Sequence, residues 1–374
     1  MRRAPKAMTR AGLITVLIAS LAVIPAWAAS GRNMKTTQQA VKAVSTTRVA
    51  KAAIHVAAVL PPLYLCAVAS DPLLSTDGLL LADGARVDIW GFALDPNQLT
   101  GGGCALATPS LPGPSLGVDT PTITEGDVVT VILENTLAEP VSINFHGQNI
   151  GGPPDTVGAP ALIGTKSYSF TATAGTYAYE AGTDVEHQIP MGLAGALVVH
   201  STVAGQVYST NPTGANTSFN QEATLVLSDI DPALNAAVSN GNNFNMLNYK
   251  PQYWLINGLS YPNTAPISAG GLAGWRIDLR IVNAGLQQHT LMLMGAHATF
   301  VARDGFMINY PYDLDAETFA AGTTGDAIMT VPTGTASGAK FGLFSRNMDL
   351  TNGPNVPSNT SYSPGGMMTF ITEP

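Results

Sequence analysis

After residue 60 this chain has no long stretch whose apolar residues recur at the 3.6-residue spacing of a helix. Short runs of Val, Thr, Ile and Leu take their place, each closed by Gly or Pro. With 38 Gly and 26 Pro the chain can turn often, and β-branched runs punctuated this way favour all-β sandwiches. The stretch around Gly126-Asp127 is an example. Gly126-Asp127 turns the chain, and Val129, Val131 and Leu133 then alternate with Thr130, Ile132 and Glu134. That pattern predicts a strand buried mostly on both faces. A length of 374 residues suits two domains, each with its own core.

Charge divides the chain sharply. Residues 1–60 hold nine Lys and Arg and no acid, whereas the rest holds eight Lys and Arg against all 25 acids. Arg2, Arg3, Lys6 and Arg10 precede an apolar stretch at 11–25, and Ala26-Trp27-Ala28 is a small-x-small cleavage signal. Residues 1–29 therefore read as a signal peptide. Its apolar run is too short for a membrane span. The mature protein is expected to be secreted, periplasmic or at the cell surface, with no transmembrane span. Residues 30–60 read as a basic leader or arm, and the Ala/Val-rich end at 52–60 could instead pack on a neighbour. The acidic remainder argues against nucleic acid as a partner. Cys66 and Cys104 are the only cysteines. In an exported chain they read as a disulfide, which would close a loop of about 39 residues and add roughly 4 kcal/mol in the chain-entropy account.

Turn residues and strand patterns set the organisation. Residues 61–202 read as a first domain, with strands predicted at 85–92, 129–134 and 141–146, a hairpin over 168–179, and a closing strand at 192–200. Residues 203–220, rich in Gly, Ser, Thr, Asn and Pro, read as a linker. Residues 221–374 form the second domain.

A set of motifs runs through both halves. The first contains Pro112-Gly113-Pro114, Asn144-Phe145-His146-Gly147, Gly175-Thr176-Tyr177-Ala178-Tyr179-Glu180 and Met191-Gly192-Leu193-Ala194-Gly195. The second contains Asn257-Gly258 with Tyr261-Pro262, the run from Arg276 through Arg280 to Asn283, Asp304-Gly305, and Gly365-Gly366-Met367. In this order, over 85–374, the set resembles the multicopper oxidases, the family of laccases and copper-efflux oxidases. The resemblance implies an all-β chain of two tandem cupredoxin-like Greek-key β-sandwich domains.

It also implies where copper ligands would stand, and most are replaced. Family members carry His-Trp-His-Gly where this chain has Asn144-Phe145-His146-Gly147, and Tyr-His-x-His near Glu180-Ala181-Gly182. A His-x-His pair works on a strand because residues two apart share a face, about 7 Å apart. Here His146 is the matched imidazole, and Glu180 is the one further donor at these places. His187 lies where the family rarely ligates. In the second domain the family's His-x-x-His-x-His-Gly becomes His289, Met292 and Met294, with His297 close by. Thioethers favour Cu(I), so His289, Met292, Met294 and His297 are candidate copper(I) ligands, with a core-filling role for the methionines as the alternative. The His-Cys-His motif expected near the C-terminus is replaced by Leu343-Phe344-Ser345-Arg346-Asn347-Met348. No Cys follows Cys104, so the thiolate of a type 1 centre is missing there. Gln148 and Asp155 are candidates to orient a ligand near His146. No Gly-x-Ser-x-Gly elbow or phosphate loop is present.

Two functions from different classes fit these residues. One is an exported binding, structural or assembly component that self-associates or meets another envelope or extracellular protein. The other is a copper-binding oxidoreductase with a reduced or intersubunit site. The sequence leaves copper and a metal-free chain equally open.

Overall fold

The computed structural model describes residues 46–48, 55–70, 78–96, 103–211, 214–270, 273–353 and 363–374. The segment read as a signal peptide lies outside them. All described residues belong to one compact unit, Ala40–Pro374.

Turns and alternating strands build two sandwiches in that unit. In the first, one sheet orders Trp90–Leu94, Leu63–Ala69, Val128–Asn135 and Gly164–Thr171. The facing sheet orders Ile123–Thr124, Ala194–His200, Gly175–Glu180 and Asn144–Phe145. Leu65, Phe92, Val131, Leu133, Ile143 and Leu197 fill the space between them. Val129, Val131 and Leu133 are buried as predicted, but Thr130, Ile132 and Glu134 are only half-buried. Burial on both faces is therefore not what forms, because the outer face of this sheet is left partly open. Asn144–Phe145 is all the regular strand that the predicted 141–146 segment makes. Cys66 and Cys104 are joined by a disulfide, with Cα atoms 5.4 Å apart.

Among the described residues the second sandwich has a nine-stranded and a five-stranded sheet. The larger contains Phe306–Leu314, Ala298–Arg303, Thr324–Thr330, Arg276–Asn283 and Gln221–Ile230 in that order. The smaller contains Lys340–Ser345, His289–Met294 and Ala316–Phe319 as neighbours. Two short helices that the periodicity did not announce, Val185–Met191 and Pro232–Ser239, join the strands. Asp231 accepts a hydrogen bond from the Ala233 amide and so caps the second, whose first residue is a proline.

Segments read as leader and linker are partly built into the body. The His55 ring lies 2.9 Å from Asp127, the Ala58 amide donates to the same carboxylate, and the Leu60 amide donates to the Val128 carbonyl. In the 203–220 segment, Val207, Tyr208 and Phe219 are buried against Val301, Ala302 and Ile328.

Strand alternation positions the seam between the sandwiches. Gly175–Glu180 sends Tyr177 and Tyr179 into the first core, which leaves Thr176, Ala178 and Glu180 on the face toward the second sandwich. Ala178, Ala194 and Ala196 pack there on Val226, Val282 and Ala284. Beside this apolar patch lies Arg280, fully buried. Its Nε is 2.7 Å from Glu222, its Nη2 3.2 Å from Asp278 and its Nη1 3.5 Å from Asp326. The same Nη1 donates to the Thr176 hydroxyl of the first sandwich at 3.0 Å, and His200 reaches Glu222 at 2.6 Å. Burial alone would raise the Glu222 pKa, but Arg280 and His200 bring it down to about 2. Asp278 goes the other way. Burial, with Asp326 and Glu222 nearby, holds it well above the usual carboxylate range despite Arg280.

Candidate functional site

Two imidazoles stand at motif positions, and the sandwiches treat them differently. His146 follows the edge strand Asn144–Phe145, whose Phe145 ring packs 5.1 Å from Phe170 in the core. With Phe145 inward, Asn144 and His146 face the seam. The His146 amide donates to the Ala178 carbonyl, and its Nε2 lies 2.9 Å from Glu180 Oε1. The two side chains are 37% and 16% exposed, so the pair is open to solvent on one side. The hydrogen bond to Glu180 raises the His146 pKa; burial opposes it, and the charges of Glu180 and Asp304 add to it. Asp304 belongs to the second sandwich. It precedes Gly305, which with Gly147 lies against the Tyr177 ring; a Cβ on either would fall 2.3 Å or less from that ring. Glycine at these two positive-φ turns therefore lets the sandwiches close around Tyr177.

The neighbours that could assist His146 are committed elsewhere. Asn144 accepts from the Asp155 amide, and its side-chain amide fills the space beside Gly182. Asp155 accepts from the Val157 and Gly158 amides and from the Tyr168 hydroxyl. Gln148 accepts from the Thr173 amide. None of these contacts turns Asp155 or Gln148 toward His146. His187 is held by Asp184 at 2.9 Å.

His289 is fully buried. Along His289–Met294 burial alternates, with His289, Leu291 and Leu293 inward and Met292 and Met294 on the other face. The structure therefore does not gather the four candidate copper(I) ligands. Met294 is 55% exposed, and His297, 75% exposed, pairs with Asp315 at 2.5 Å. The neighbours of His289 are carboxylates. Its Nδ1 lies 3.1 Å from Asp349 and its Nε2 3.5 Å from Asp229. Asp349 also accepts from the buried Ser345 hydroxyl, and Asp229 from the Tyr249 hydroxyl and the Leu286 and Gln287 amides. Burial pulls the His289 pKa down, but Asp229 and Asp349 outweigh it and the pKa is raised. Ser345 lies in the segment that stands where His-Cys-His was expected.

Sequence reasoning did not name Asp229, Asp349 and Tyr249. The one local signal was an acid, Asp229, ending an apolar strand run, and nothing local tied it to His289. Among the described residues, no three His, Cys, Asp or Glu side chains are placed to share one metal ion. Both thiols of the chain are spent in the Cys66–Cys104 bond, so the His2Cys donor set of a type 1 copper centre does not fit these residues.

Residues 106–203 match the family model described as multicopper oxidase. No curated protein matches the sequence. Among solved structures, the blue copper oxidase from Nitrosomonas europaea is similar, with a TM-score of 0.61 at 23% identity over 83% of this chain and 84% of that one. The copper nitrite reductase from Nitrosomonas europaea gives 0.58 at 20% identity over 84% and 93%. The laccase from Botrytis aclada gives 0.56 at 16% identity over 86% and 54%. At these identities the likeness is one of fold. Residues 106–203 thus resemble a multicopper oxidase domain, within a fold of two tandem cupredoxin-like sandwiches.

Proposed function

We propose that this is an exported multicopper-oxidase-like protein that has given up type 1 copper electron transfer and serves as a binding, structural or assembly component of the cell envelope or exterior. The observation that carries this reading is the state of the thiols. Electron entry in blue-copper sites needs a Cys thiolate between two imidazoles, and this chain's two cysteines are bonded to each other. The retained imidazole of the second sandwich supports it, since His289 has carboxylates on both sides. The basic N-terminal part and the acidic remainder favour self-association or an envelope partner.

A second reading keeps one observation of its own. His146 and Glu180 form a half-exposed pair whose free edge opens to solvent, and an imidazole with a carboxylate can hold a borderline metal ion. In that reading the protein is a copper-binding oxidoreductase with a reduced or intersubunit site. Metal analysis after copper reconstitution, with a visible spectrum, separates the two. Little bound copper and no intense copper–thiolate band is the expected result. Stoichiometric copper with that band would overturn the first reading, whereas stoichiometric copper lost on His146→Leu favours the second.

A further inference from the structure

The strand Gln221–Ile230 is covered unevenly. Arg276–Asn283 runs beside it from Gln221 to Leu227, while on its other edge Tyr253–Ile256 pairs only with Leu227–Ile230. The start of that second edge is taken by Thr46–Arg48, antiparallel, with Thr46 opposite Ala223, Thr47 opposite Glu222 and Arg48 opposite Gln221. The inserted strand is three residues long. The next described residues, 55–60, are fixed to the first sandwich through Asp127 and Val128. Residues 49–54 join the two attachments.

We propose that the Gln221–Ala223 edge is an interaction surface for Thr46–Arg48 of a second copy, so that copies associate by exchanging this strand. The proposal rests on the self-association reading above and gives it a route. A sheet edge accepts a strand from any chain that presents the same backbone. Because the strand makes the same contacts in its own body or in a neighbour, exchange costs little beyond the lost freedom of the second copy. Three residues make few ladder hydrogen bonds, each worth on the order of 1 kcal/mol net, so the closed form opens readily. Charge also favours contact between copies. Residues 30–60, which follow the cleavage signal, carry five Lys and Arg and no acid, and residues 61–374 carry 25 acids against eight Lys and Arg. The N-terminal part of one copy is thus drawn to the body of another, an attraction that salt weakens.

The test uses the full chain with Thr46→Cys and Ala223→Cys, since facing Cα atoms across a ladder stand within disulfide range. Both native cysteines are already paired, so no native thiol competes. Mild oxidation followed by a non-reducing denaturing gel is expected to show dimers and larger species. Light scattering of the otherwise unaltered protein is expected to show oligomers that Thr46→Pro/Thr47→Pro converts to monomers, because proline has no amide to donate to the ladder. A cross-link confined to single chains, or no cross-link, overturns the exchange. If oligomers persist in that case and in the proline variant, self-association stands by another route. A monomeric unaltered protein overturns both.

Discussion

His146 and His289 stand at comparable motif positions in two sandwiches of the same kind, yet they face opposite environments. His146 lies at an edge strand, paired with one carboxylate and 37% exposed. His289 lies inside, between Asp229 and Asp349 and away from water. The difference follows from how each strand alternates. The first sandwich turns its polar position outward to a seam, where water can solvate the pair. The second turns its imidazole into the core, where a polar ring must find partners or pay for their absence. At the two motif positions, the buried imidazole sits in a hydrogen-bonded cluster and the exposed one in a single ion pair.

The largest test of this contrast lies deeper in the seam than either histidine. Arg280→Met would leave Glu222, Asp278 and Asp326 facing one another without their shared cation. A loss of about 3–5 kcal/mol is expected in denaturant unfolding, and an unchanged midpoint would show that the carboxylates absorb protons at no cost. Next comes His289→Leu, which strands Asp229 and Asp349 beside an apolar group. About 2–4 kcal/mol is expected. A loss below roughly 1 kcal/mol would mean that the Tyr249, Ser345 and backbone donors already satisfy both carboxylates, and the contrast with His146 would vanish.

Acid and base should act on different parts of the comparison. The pKa of both histidines is raised above the ordinary imidazole value of 6.5. Their contribution is therefore complete below 6.5 and fades as pH rises through the higher folded values. Urea midpoints of the unaltered protein and of His289→Leu should converge as pH climbs past neutrality. Divergence would mean that His289 is neutral in the folded state. Glu222 behaves oppositely. Its pKa is lowered to about 2 from 4.5, so its contribution is full above 4.5 and is lost as pH falls toward 2. The smallest effect belongs to His146→Leu. Half-exposed pairs contribute about 0.2–1 kcal/mol, and added salt should erase most of the difference. A loss matching that of His289→Leu would break the contrast from the other side.

Much of the fold was legible before any coordinate. Alternation placed the strand after Gly126-Asp127, the Gly and Pro pattern marked its turns, and the motif order pointed to paired cupredoxin-like sandwiches. The candidate site was legible only in part. His146 and Glu180 are 34 residues apart in sequence yet belong to a single motif skeleton, so their meeting could be anticipated. Asp349 joins His289 across 60 residues with no local pattern to announce it. Met292 and Met294 were grouped with His289 on sequence proximity, but an offset of three or five along a strand puts them on the opposite face. The segment ending at Leu60 looked like a leader because it is basic and Ala-rich, and nothing local revealed that Asp127 would accept from His55 and Ala58.

What the sequence determined by itself was local: where the chain turns, which stretches alternate, and which ligand types exist at all. It determined that only two cysteines are present and that His146 and His289 stand at the motif positions. Tertiary structure decided which of these groups meet water. The Arg276–Asn283 strand carries Asp278 and Arg280 on the face opposite Ile277 and Leu279, a pattern that by spacing suits a sheet with one wet side. Arg280 is buried because Thr176 of the first sandwich and Phe219 of the connecting segment lie against it. Alternation states that two faces differ, but which neighbour covers each face is set by the packing of distant strands, and that packing decides whether a charge stays solvated or must find a partner inside.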